Sequence, residues 1–132
     1  MREILFKAKT IDGKRWVQGY FIAKPILERY FIIQDEAQWE IDMNTLCQYT
    51  GLTDKNGNMI WENDIVKYHF GEDTAIIRYG KYQNCFDSMK ACHVGFFVDW
   101  QDYKRKDLGY WVEMIDCNVI GNVFDNADLV KG

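Results

Sequence analysis

Cys85, Cys92, His93 and Cys117 are residue types that bind zinc, and four such ligands are enough for a structural site. Structural zinc ligands usually come in close pairs such as C-x2-C, a spacing this set lacks. These cysteines, with Cys47, are therefore expected to be ordinary buried or surface thiols, and no metal is expected. Asp54, Asn56 and Asn58 reproduce the start of a calcium-binding loop. That loop needs glycine where Met59 stands and a bidentate glutamate where Ile65 stands, so the segment is expected to be a hairpin instead.

A thiol or histidine enzyme would have to draw on His69 or His93, and nothing around the cysteines matches a nucleophile motif. Asp99 with Asp102, or Glu62 with Asp64, could act as acid–base pairs, but acidic residues at such spacings are commonest in turns. The ten glycines are scattered singly, so no strand, Gly-rich loop and helix unit exists to cradle a phosphate. The expectation is a protein without catalytic residues and without a cofactor.

The elements that would position these residues are short and alternating. Ile4, Phe6 and Ala8 share one face of an opening strand over Glu3 to Lys9, and Lys7 and Lys9 the other. Further strands are expected at Arg15 to Ile22, Arg29 to Ile33 and Trp39 to Ile41, separated by polar or proline-marked turns. Asp42 or Asn44 is placed to cap a single helical turn before Cys47 to Thr50 resumes extended structure. Leu52 and Met59 flank a hairpin at Asn56-Gly57, and Asn63 is the natural left-handed residue of a second bend at Glu62-Asn63-Asp64.

Downstream, Asp64 to Phe70 is expected to pair with Thr74 to Tyr79, and Val94 to Trp100 with Tyr110 to Ile115. The insert from Lys81 to His93 lacks strand periodicity. It is expected to hold a short helix around Phe86 to Ala91 and to act as a specificity loop. Short strands at such spacing predict a mainly β fold of antiparallel strands in a barrel or roll, with little helix.

Three blocks stand in order along the chain: Gln48-Tyr49-Thr50-Gly51-Leu52 with Asp54-Lys55-Asn56-Gly57, then Glu62-Asn63-Asp64-Ile65-Val66, then Val119-Ile120-Gly121-Asn122-Val123-Phe124. They resemble the QYTGL-D-NG block, the E-G-D-I-V block and the V-I-G-N-(I/V)-(Y/F) ending of the YopX family of phage and prophage proteins. The opening Arg2 to Ala8 is similar to that family's R-x-I-K-F-R-A start. Two departures are Asn63 in place of the family's glycine and Asp125-Asn126-Ala127-Asp128-Leu129 in place of Glu-Asn-Pro-Glu-Leu. The resemblance implies an all-β architecture with an SH3-like barrel and a phage origin, and it carries over no catalytic position.

A chain of 132 residues suits one compact unit, 1–132, or an N-terminal β subunit 1–58 packed on an SH3-like barrel 59–132. With 16% aromatic residues and one proline it has no disordered or linker composition. No signal segment or membrane helix is evident, so a cytoplasmic protein with reduced cysteines is expected.

Charge is uneven along the chain. Met1 to Arg29 carries seven Lys or Arg against three Asp or Glu, whereas Tyr30 to Lys67 carries two against seven. Lys7, Lys9, Lys14 and Arg15, with Trp16 and Tyr20, form a candidate interaction surface, either for nucleic acid or for a protein. A net charge of −4 disfavours polyanions. Eight Tyr, eight Phe and five Trp exceed what a small barrel readily buries. That surplus favours a homo-oligomer or a phage or host protein partner, with nucleic acid as the alternative and no membrane.

Overall fold

The computed structural model of the protein describes residues 4–68, 73–88, 90–100 and 105–129. Among these it is mainly β, with antiparallel pairing throughout the registered strands. The chain divides into two compact units, Met1–Gly51 and Leu52–Gly132.

The first unit is a meander of β1 (Phe6–Lys9), β2 (Trp16–Lys24), β3 (Arg29–Gln34) and β4 (Ala37–Glu40), followed by most of β5 (Cys47–Thr53). Its strand order is β4-β3-β2-β1-β5, and β6 (Met59–Trp61) follows in the second unit. The expected alternation holds: Ala8, Val17, Ile32 and Ile41 are buried together, with Phe6, Phe21, Tyr30, Trp39 and Leu46 packed around them. Opposed residues in the register, such as Ala8 and Val17, share that face because side chains alternate along a strand. Asp42 caps the 3-10 turn Met43–Thr45 by accepting the Asn44 amide at 3.0 Å. Gly19 is required where β2 meets β3, because a Cβ there would lie 1.9 Å from the Ile33 carbonyl oxygen.

In the second unit β7 (Asp64–Tyr68), β8 (Thr74–Tyr82), β9 (His93–Asp99) and β10 (Cys117–Asn122) form an antiparallel sheet in the order β10-β7-β8-β9. No register joins β10 to β9 among the described residues. Its core gathers Ile60, Val66, Ile77, Val98 and Trp100 around Trp111, and the two tryptophan rings lie 4.9 Å apart.

Two expectations are corrected here. Tyr110 to Ile115 is not a strand paired with Val94 to Trp100; Leu108–Glu113 is the helix α1. The reason is periodic: Leu108, Trp111 and Val112, spaced i, i+3, i+4, are its buried residues, which is one helical face. Phe86 to Ala91 is not helical in its described residues but a pair of turns, closed by Asp87 N to Asn84 O at 3.0 Å and Ala91 N to Ser88 O at 3.0 Å. The expected strand ends at Glu3 and at His69 and Phe70 lie outside the described residues.

Candidate interaction site

The four cations singled out in the sequence do not share one surface. Lys7 and Lys9 do: in the β1–β2 register Lys7 opposes Gln18 and Lys9 opposes Trp16, on the face away from Ala8 and Val17. Their ammonium nitrogens stand 4.8 and 5.6 Å from the centre of the Trp16 ring, close enough for cation–π attraction. Tyr20, two positions further along the same face, is 67% exposed.

Arg15 belongs to the opposite face, since it neighbours Trp16 along the chain. Its guanidinium lies 4.5 Å from the Trp39 ring, which packs against the buried cluster of the first unit. Lys14 sits in the turn, where its amide donates to Asp12 Oδ1 at 3.0 Å. The Thr10 hydroxyl, donating to the same oxygen at 2.6 Å, is the main reason the Asp12 carboxyl is held below the usual carboxylate range.

A second exposed feature had not been expected. The tip joining β2 to β3 is the 3-10 turn Pro25–Leu27, in which Ile26 is 98% and Leu27 62% exposed. Pro25 pre-sets the turn, and Glu28 closes it in the left-handed region at φ 53°. On either side, Lys24 and Arg29 lie 5.1 and 5.2 Å from the Phe31 ring, and Arg29 also pairs with Glu40 at 3.0 Å. The signal in the sequence is an apolar Ile-Leu pair where hairpin turns normally carry Gly, Asn or Asp.

The zinc-type residues are dispersed by the fold. Cys47 and Cys117 are buried, whereas Cys85 and Cys92 are exposed in the insert. Burial, reinforced by Asp54 and Asp116, pushes the Cys117 thiol up to about 12. His93 is engaged with Asp87 at 2.9 Å and stacks on Tyr82. No group of three or more His, Cys, Asp or Glu among the described residues is arranged to hold a metal.

The insert is latched to the segment preceding α1. Asp107 accepts from the Tyr82 hydroxyl at 2.9 Å, from Asn84 Nδ2 at 3.3 Å and from Arg105 Nε at 2.6 Å. Asn84 Oδ1 in turn accepts the Lys106 amide at 2.7 Å. Burial and the bond to Asp107 push the Tyr82 hydroxyl up to about 12. On Asp107 burial acts upward, but its donors outweigh it and the carboxyl is lowered.

The remaining acids act as turn anchors. Asp54 is 5% exposed and accepts the amides of Asn56, Asn58 and Val119 at 3.0, 2.9 and 3.0 Å. Burial acts to raise its carboxyl, and the donors together bring it below the usual value. Asp64 Oδ2 accepts the Trp61 amide at 2.8 Å across the bend in which Asn63 takes φ 71°. Asp99 lies 3.9 Å from Arg78, and its expected companion Asp102 is outside the described residues.

Among the described residues no helix is long and apolar enough to cross a membrane. No curated protein matches the chain. Residues 8–131 match the YopX protein family, and they contain the three turn-bearing blocks whose aspartates, asparagines and glycines build the bends just described. The chain belongs to the YopX family.

Proposed function

We propose that this protein is a phage accessory protein of the host cytoplasm that works as a non-catalytic protein-interaction module, assembling with copies of itself and with a phage or host protein. The observation that carries this reading is the β2–β3 tip. Ile26 at 98% exposure and Leu27 at 62% hold an apolar pair in water on a turn stiffened by proline. An exposed apolar pair on a rigid hairpin contributes little to its own fold and is suited to fill a pocket on a partner. The test compares wild type with I26D/L27D, purified from a phage-carrying host with nuclease present. A stoichiometric protein that accompanies wild type and is lost from the variant, whose circular dichroism is unchanged, supports the reading. Equal recovery from both overturns the tip as the contact.

One observation favours a nucleic-acid reading: Lys7, Lys9, Trp16 and Tyr20 share a strand face. Binding of an oligonucleotide there would weaken steeply with salt and fall with K7A/K9A. The net charge of −4 keeps this reading second.

A further inference from the structure

The β2–β3 ladder stops short of the end of β2. Its last registered pair at that end is Tyr20 with Ile33, whereas the β1–β2 ladder continues through Gly19, Gln18 and Val17 to Trp16. Val17 and Gln18 therefore have β1 on one side and, among the described residues, no strand registered on the other, whereas at Gly19 the Ile33 carbonyl already lies close. Asp35 and Glu36, both left-handed at φ 52° and 65°, turn β3 into β4 at this point and leave an open groove of about 580 Å3. Lys7, Trp16, Gln18, Tyr20, Gln34 and Asp35 line it.

One hydrogen bond shows what the groove lacks. The Gln18 amide, which would donate to the carbonyl of an adjacent strand, donates instead to Gln34 Oε1 at 2.7 Å. A side-chain amide oxygen has the chemistry of a main-chain carbonyl, so Gln34 occupies the position of a missing backbone acceptor.

We propose that this groove docks an extended peptide segment of a protein partner, which lies along Val17 and Gln18 and replaces the Gln34 side chain with its own main-chain carbonyl. This is strand addition to a sheet edge, in which backbone pairing supplies affinity and alternate side chains supply selectivity. Lys7 at one wall and Asp35 at the other set the polarity of the segment, with an acidic side chain toward Lys7 and a basic one toward Asp35. The site goes beyond the interaction reading based on Ile26 and Leu27, which stand at the other end of the same hairpin.

The experiment pans a displayed library of random eight-residue peptides against the wild-type chain and titrates one enriched peptide into 15N-labelled protein. The expected result is that shifts centre on the Gln18 amide. Methylating the peptide nitrogen that faces β2 should weaken binding at least tenfold, and Q34A should bind as tightly as wild type or more tightly. Q18P should abolish binding. Because that variant risks misfolding, the methylated peptide carries the test independently. I26D/L27D should retain peptide binding, which separates failure of the groove from failure of the tip. No peptide enriched over a scrambled control, shifts that map elsewhere, or indifference to methylation would each overturn the proposal. So would a dT8 oligonucleotide that displaces the peptide and shifts Gln18 and Tyr20.

Discussion

Both units turn the chain with an aspartate that accepts backbone amides, but one unit buries the device and the other leaves it in water. In the second unit Asp54 and Asp64 are 5% and 3% exposed; Asp54 accepts amides of its own turn and of Val119 in β10, and Asp64 accepts the Trp61 amide at the end of β6. In the first unit Asp12 and Asp42 do the same work at the surface, each for an amide two residues on. A buried amide that loses its acceptor cannot turn to water, whereas an exposed one can. In the second unit the anchoring carboxylates are thus buried, although the turn residues Lys55 to Asn58 are exposed. Those of the first, at Asp12 and Asp42, hold their amides close to solvent.

The sharpest way to break this contrast is to attack the second unit's core. W111A, which removes the ring packed on Trp100 and Tyr68, should cost about 4 kcal/mol in urea unfolding. D54A should cost about 3 kcal/mol, because three amides lose one charged, 5% exposed acceptor. D12A in the first unit should leave the urea midpoint nearly unmoved, and an equal loss in the two variants would dissolve the comparison.

Titration sharpens the same point. The Asp54 and Asp107 carboxyls are lowered in the folded chain, so their stabilisation is present above the unfolded value near 4 and is lost as pH falls through the lower folded values. At the alkaline end Tyr82 is raised from 10.0 to about 12, so its contribution is complete below pH 10 and lost as pH rises toward 12. Urea midpoints across pH should therefore fall at both ends, with D54N flattening the acid limb and Y82F the alkaline one.

Thiol labelling gives a smaller, countable effect. Cys85 and Cys92 should react with an aromatic disulfide reagent in the native chain, and Cys47 and Cys117 only after unfolding. The smallest effect belongs to K7A/K9A, which should change stability by under about 0.5 kcal/mol, since exposed cation–π contacts are individually weak.

Much of this was legible before folding. Alternation around Ala8 and Val17 reveals the core face of the first unit, Asp42 its capped turn, and Asn63 a left-handed bend of the second unit, because each depends on residues within a few positions. Tyr110 to Ile115 reads as strand by its local composition, although Leu108, Trp111 and Val112 carry the i, i+3, i+4 spacing of a helix. The candidate surface was half legible: Lys7 and Lys9 alternate onto one face, but Arg15 lies one residue out of phase with Trp16 and reaches Trp39 instead.

By itself the sequence determined the family, the β class and the position of nearly every turn, since propensity, alternation and left-handed residues act over short stretches of chain. Tertiary structure alone decided that Asp54 would meet the Val119 amide, that Asp107 would collect Tyr82, Asn84 and Arg105, and that Gln34 would fill the acceptor position beside Gln18. The physical reason is that a ladder's length and a carboxylate's donors depend on which distant segments pack together. Gln34 and Gln18 are an unremarkable pair of glutamines until β3 turns away and leaves the edge of β2 open.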